Sequence, residues 1–144
     1  MKTLYETQAT ASAGRNGQVT TDDGKLSIAL SYPKEMGGSG EASNPEQLFA
    51  AGYSACFSNA VLHVAREAKV KLTQAPVTAK VGIGARAEGG FGLTVALSVE
   101  LAVSDELSQE QAAELVRTAH QVCPYSNAVR NNIDVALTVN GQSL

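Results

Sequence analysis

"NPEQLFAAGYSACFSNA", residues 44–60, is the stretch on which the fold turns. Asn44 is a favoured N-cap and Pro45 suits the first helical position. The residue before a proline is driven out of the helical region, so a helix opens here. Glu46 falls in the first turn, beside the positive end of the dipole. From Leu48 to Leu62 the positions are almost all apolar or small, and polarity returns at "REAKVK", residues 66–71. A helix apolar on nearly every side is expected to be buried on nearly every side, threading the centre of the molecule.

Toward the N-terminus the chain reads as a β-meander. "TLYETQATAS" (3–12), "QVTT" (18–21) and "KLSIALSY" (25–32) suit strands, separated by "GRNG" (14–17) and "DDG" (22–24). Period-two alternation of Leu26, Ile28 and Leu30 beside Asn-Gly and Asp-Gly is a strong hairpin signal. "PKEMGGSGEAS" (33–43) is a glycine-rich loop too short for a domain linker. On the far side of the helix, alternation predicts strands over Val77–Ile83 and Leu93–Val103, joined by "EGGFG" (88–92). "SDELSQEQAAELVRTAHQVC" (104–123) carries a second helix, capped by Ser108 with Gln111 in a capping-box pattern. Pro124 interrupts it, "YSNAVRNN" is a short turn or helix, and "IDVALTV" (133–139) closes as a strand. The order βββ-α-ββ-α-β predicts one α+β domain over residues 1–144, with mostly antiparallel strands.

The chain is 144 residues long, 17% charged, with a net charge of −3, a balance that argues against nucleic acid as a partner. No stretch reads as a membrane span and the start has no apolar signal core, so a cytoplasmic protein is the default expectation. Two cysteines are too few for a secreted disulfide framework. In a reducing compartment they are either buried ballast or redox chemistry, and composition does not choose.

Three candidate chemistries remain. "GIGARA" (82–87) fits a dinucleotide fingerprint, but another strand follows where that site needs a helix, so it reads as a hairpin. Cys56, Cys123, His63 and His120 could in principle make a zinc site. Cys56 and His63, however, lie about 10 Å apart along a helix, too far to share one tetrahedral ion. Cys56 itself is the third. Free cysteine is commonly buried and inert. Against that stand a second cysteine held beside Pro124, a glycine-rich loop able to cover a pocket, and Arg15 and Glu46 at a turn and a helix start.

At this point three motifs can be set together. "NPEQLFAAGYSACF", "GGFGL" and "AHQVCPYSNAVRNNIDV" closely resemble the organic hydroperoxide resistance (Ohr) branch of the Ohr/OsmC family, and the likeness runs over essentially the whole chain. The resemblance implies an OsmC-like α+β fold, mostly antiparallel sheets wrapped around long central helices in an intertwined homodimer. It implies a peroxidatic Cys56, a resolving Cys123, a catalytic Arg15 and its partner Glu46. It also implies reduction of alkyl, aryl and fatty acid hydroperoxides without metal, flavin or haem, with dihydrolipoamide or a lipoylated protein as reductant. The nearest alternatives are an OsmC-type peroxidase of broader range, a thiol redox sensor, or a structural dimer with unreactive thiols.

The chemistry explains why such residues are needed. Only about 3% of an ordinary thiol is ionised at neutral pH, and apolar burial lowers that share. Cys56 sits mid-helix, beyond the end-dipole, so a cation must supply the ionisation. Arginine stays charged and offers several donors in a fixed fork. Glu46 would offset that charge and orient it. Glu46 and Cys56 are roughly 15 Å apart along a straight helix, so Arg15 must bridge, the helix must bend at Gly52, or a second subunit must contribute. Phe49, Phe57, Met36 and Phe91 are the candidate lining for an alkyl body.

Overall fold

The computed structural model describes residues 1–105 and 107–144. Glu106, in the stretch just ahead of the Ser108 cap, lies outside the described residues. The chain divides into two compact units, Met1–Leu48 and Phe49–Leu144.

In the first unit, β1 (Ala9–Ser12), β2 (Gln18–Thr21) and β3 (Ser27–Ala29) form an antiparallel sheet in the order β1-β2-β3. The strands are shorter than alternation suggests. Residues 3–8 stay outside the sheet, and β3 covers three of the eight residues of "KLSIALSY". Between β1 and β2 the chain does not make the two-residue Asn-Gly hairpin expected from "GRNG". Ala13 and Gly14 instead take left-handed conformations, each with φ 54, and Gly14–Asn16 form a single 3-10 turn. Gly17 makes this possible, since a Cβ there would lie 1.5 Å from the Ser12 carbonyl oxygen. The sheet has little interior, and Leu30 is the one apolar side chain of residues 1–48 that is buried.

Helix α1 (Pro45–Glu67) begins where Asn44 and Pro45 predict. The Asn44 side chain accepts the Gln47 backbone N–H at 3.0 Å, satisfying a donor the first turn leaves free. No bend occurs at Gly52, and the helix runs unbroken for 23 residues.

In the second unit, β4 (Val77–Ala85) and β5 (Phe91–Val99) pair antiparallel over nine residues, Val77 opposite Val99. Helix α2 (Gln109–Val122) starts in the predicted capping box at Ser108. Helix α3 (Pro124–Val129) follows the Pro124 interruption. β6 (Val135–Val139) then pairs with β5 in parallel, Val95 opposite Val135. A short β7 (Gln142–Ser143) turns back on β6 through Asn140-Gly141, both at positive φ, an Asn-Gly hairpin signal near the C-terminus. The parallel β5–β6 pair has a simple cause. Two helices intervene between those strands, long enough to carry the chain back to the starting edge.

The core forms where these elements face each other. Val95, Leu97 and Val99 of β5 alternate inward and meet Tyr53, Phe57 and Val61 of α1 and Leu115, Val116 and Ala119 of α2. The expectation of all-round burial for α1 needs correction within this chain. Tyr53, Phe57, Ala60, Val61, Val64 and Ala65 are buried on one stripe, while Ala51 and Ala55 are exposed and Phe49, Ala50, Cys56 and Leu62 are half-buried. One four-stranded sheet and one neighbouring helix can cover only one side of a helix. The expectation that no segment approaches a membrane span is also corrected, because by length and composition alone α1 is long and apolar enough for one. Its inward stripe is nonetheless core.

Candidate active site

Two constellations form, one in each unit. In the first, the turn between β1 and β2 presents Arg15 and the first turn of α1 presents Glu46. The guanidinium donates twice to one carboxylate, Nη1 to Oε2 at 2.7 Å and Nη2 to Oε1 at 2.6 Å. The two side chains keep 21% and 13% of their surface exposed, sheltered enough that this fork-to-fork pair is more than a surface ion pair. The Arg15 hydrogen bonds hold the Glu46 carboxyl below its usual range, and the same bonds hold the Arg15 pKa above its usual value. The Tyr32 ring lies 5.8 Å from the guanidinium carbon, a cation–π contact on the same group.

In the second unit the two cysteines come together although 67 residues separate them in sequence. Cys56 projects from the middle of α1 and Cys123 sits at the corner between α2 and α3. The Cys123 thiol points at Cys56 with the sulfurs 3.6 Å apart. Both are free thiols, Cys56 half-buried and Cys123 buried. Local backbone rules fix that corner. Cys123 precedes a proline, so it is extended (φ −64, ψ 126) and ends α2 as it opens α3. Its N–H donates to the Ala119 carbonyl and its carbonyl accepts the Asn127 N–H, each at 2.9 Å.

Burial pushes the Cys56 thiol up. The Tyr125 backbone N–H works against this, and the neighbouring Cys123 adds to it. Residue Tyr125 also explains Gly52. A Cβ at Gly52 would stand 3.0 Å from the Tyr125 hydroxyl and 3.2 Å from its ring. Gly52 is therefore a seat for an aromatic ring rather than a bend. Tyr125 and Tyr53 rings lie 5.7 Å apart, and Phe49 joins them at 6.3 Å from Tyr125 and 5.9 Å from Tyr53.

The other expected lining residues stand on separate elements. Phe57 is fully buried and belongs to the core beside Tyr53, leaving it no free surface. Phe91 opens β5 opposite Ala85 and is 69% exposed. Met36 closes a 3-10 turn in the first unit and is exposed. The histidines are engaged elsewhere. His63 lies 3.4 Å from an Arg66 nitrogen, and His120 Nδ1 is 2.9 Å from Ser126 Oγ. Sequence reasoning did not single out Tyr53, Tyr125 or Ser126 beside the thiols, and weighed His120 only as a metal ligand. Their signal was positional, because each lies within three residues of a cysteine and hence on the same helical face or corner.

Comparison with known proteins places the chain in a family. Residues 38–138 match the OsmC-like protein family. An organic hydroperoxide resistance protein of Xanthomonas axonopodis pv. citri is 48% identical over 140 residues, covering 96% of each chain. A crystal structure from Vibrio cholerae O1 biovar eltor, described as an organic hydroperoxide resistance protein, superposes with a TM-score of 0.94. It is 67% identical and covers 100% of this chain and 97% of its own. OhrB of Bacillus subtilis superposes at 0.83 with 40% identity, covering 95% of this chain and 99% of its own. The chain belongs to the organic hydroperoxide resistance branch of the OsmC-like family.

Proposed function

We propose that this protein is a thiol peroxidase that reduces organic hydroperoxides to alcohols. One observation carries the reading. A half-buried thiol and a buried thiol stand 3.6 Å apart on separate elements, poised to join. In the proposed cycle the Cys56 thiolate attacks one peroxide oxygen and the O–O bond breaks. The alkoxide leaves, takes up a proton and departs as alcohol, and Cys56 becomes a sulfenic acid. The Cys123 sulfur then attacks Cys56, the S–O bond breaks, water leaves, and a disulfide forms. A dithiol of the lipoyl class re-reduces it by exchange.

Cys56 needs a charge to ionise, because burial pushes its thiol the wrong way. Arg15 is the proposed source, with Glu46 orienting its fork and limiting the cost of burying it. A homodimer is part of the reading. It is supported by the apolar side of α1 that the chain leaves uncovered and by the nearly coreless first sheet. Phe49, on the open side of α1 beside Tyr125, is the best supported of the lining residues for an alkyl body.

The test is anaerobic mixing of the reduced protein with one equivalent of an alkyl hydroperoxide, followed by mass analysis of thiol-blocked peptides. A Cys56–Cys123 disulfide with one equivalent of alcohol is expected. Unmodified thiols after complete mixing would refute the proposal.

A further inference from the structure

A hydrogen-bonded chain runs behind the two thiols, and the cycle proposed above makes no use of it. The Tyr53 hydroxyl lies 2.9 Å from Ser126 Oγ, and Ser126 Oγ lies 2.9 Å from His120 Nδ1. Tyr53 and Ser126 are wholly buried. Placement gives the chain its meaning. Tyr53 is three residues before Cys56, one helical turn away on α1. His120 and Ser126 stand three residues before and three after Cys123, one on each side of the corner. The bonds thus tie the helix carrying one thiol to both arms of the corner carrying the other. Arg130 closes the end of the same arm, donating to the His120 carbonyl at 2.8 Å and the Gln121 carbonyl at 3.3 Å. Burial, with the Arg130 charge second, pushes the His120 pKa down, and a neutral ring with its proton on Nε2 can accept from Ser126 while Ser126 accepts from Tyr53.

We infer that Tyr53, Ser126 and His120 are positioning residues for disulfide closure, holding the Cys123 corner against α1 so that the sulfurs meet. Apolar packing alone would let the corner slide over the helix, because dispersion contacts have no direction, whereas a buried hydroxyl bond fixes distance and angle. Closure requires the sulfurs to move from 3.6 Å to a bond of about 2.05 Å with a restricted dihedral. Small errors in placement therefore fall on this step, and not on the first attack at Cys56.

This inference rests on the reading of Cys123 as the resolving thiol, and it can be tested without peroxide. Mixing reduced protein with one equivalent of dithiobis(nitrobenzoate) lets Cys56 displace one nitrothiobenzoate anion and form a mixed disulfide. The Cys123 thiolate then attacks Cys56, displaces the second anion and closes the internal bond. Absorbance resolves the two releases. In Tyr53→Phe, which removes one oxygen and keeps the ring, and in Ser126→Ala, the second phase is expected to slow about tenfold with the first unchanged. The double variant should be no slower than Ser126→Ala, which already removes the Tyr53 bond together with the His120 one. A second phase at the wild-type rate in both variants, or equal slowing of both phases alongside a lowered melting temperature, would overturn the inference. An alkyl hydroperoxide arm on the wild-type protein separates the two readings. Failure to oxidise Cys56 there, with normal closure in the aromatic disulfide arm, removes the peroxidase and leaves the positioning role.

Discussion

Replacing Cys123 by serine removes the second sulfur and leaves the first in place. The structure sets how much that should matter. A thiol confined within 3.6 Å of its target is present at a local concentration of ~10 M before any orientation is counted. An external monothiol at about 1 mM is then on the order of ten thousandfold more dilute, and it must also reach a half-buried sulfur. The variant should complete its first attack at the wild-type rate and then stall as a sulfenic acid. With a second equivalent of hydroperoxide that acid should go on to the sulfinic form, which thiols do not reverse. The assay is rapid quenching into a sulfenic-acid-trapping dione, with peptide mass analysis at increasing peroxide. Cys123 is fully buried, so a serine hydroxyl placed there without a partner costs about 1–3 kcal/mol. Cys123→Ala, which adds no polar atom, separates that instability from the chemistry. Sustained turnover of both variants at the wild-type rate with a monothiol, and no trapped adduct, would refute the reasoning.

Further outcomes follow from the same geometry. Arg15→Ala should slow single-turnover oxidation of Cys56 by at least about a hundredfold while leaving the aromatic disulfide's second phase intact, since a preorganised charge acts on the peroxide step. Glu46→Gln weakens a sheltered, doubly bonded carboxylate and should lower stability by about 2 kcal/mol at neutral pH, measured by denaturant unfolding. The folded-state pKa of Glu46 is depressed, so its contribution is complete above the ordinary carboxylate value of about 4.3 and is lost as pH falls through the depressed one. Melting curves of the wild type and Glu46→Gln should therefore converge in acid. Gly17→Ala would drive a methyl into the Ser12 carbonyl and should disorder the Arg15 turn, read as matching losses in peroxide reactivity and in protection of the turn amides. Gly52→Ala gains about 1 kcal/mol of helix propensity but displaces Tyr125 by a few tenths of an ångström. A higher melting temperature with altered Tyr125 fluorescence is the expected result.

What could be read in the sequence was what local chemistry dictates. Asn44-Pro45 and the Ser108–Gln111 box fixed two helix starts because a cap is satisfied within four residues of itself. Pro124 marked the corner for the same reason. The failures were of two physical kinds. The Asn16-Gly17 dipeptide did not make its usual hairpin because the left-handed step moved to Ala13 and Gly14, a choice settled by how the β1–β2 register closes. The true Asn-Gly hairpin lay at Asn140-Gly141, where Asn140 also bonds the Leu101 N–H and Gln109. Pairing across distance was likewise invisible. Nothing in the periodicity brings Tyr53 to Ser126 or makes β5 parallel to β6, since those contacts depend on how whole elements pack. The proximity of Cys56 to Cys123 was expected from family resemblance alone, and spacing could not have supplied it.

The raised pKa of Cys56 bears on how such a thiol stays intact between encounters. Within residues 49–144 the strongest influence on it is burial, which favours the neutral form, and the one opposing group is the Tyr125 amide. A thiol kept neutral reacts slowly with any oxidant, because the thiolate is the nucleophile. Cys123, at 0% exposure and 3.6 Å away, is closed off from solution by its burial. Under the proposed mechanism reactivity is then conditional on the charge that Arg15 brings. The bidentate bond to Glu46 makes that charge a fixed fork instead of a mobile side chain. An apolar surround is an advantage on these terms. It favours an alkyl peroxide over a small polar one by ~0.8 kcal/mol per buried methylene, and it would strengthen the field of a guanidinium placed beside the sulfur. Replacing Arg15 by lysine keeps the charge but removes the fork. If orientation matters as argued, that variant should recover thiolate formation, seen by ultraviolet absorbance of the sulfur anion, yet remain slow toward hydroperoxide. Full recovery of both would show that charge alone suffices.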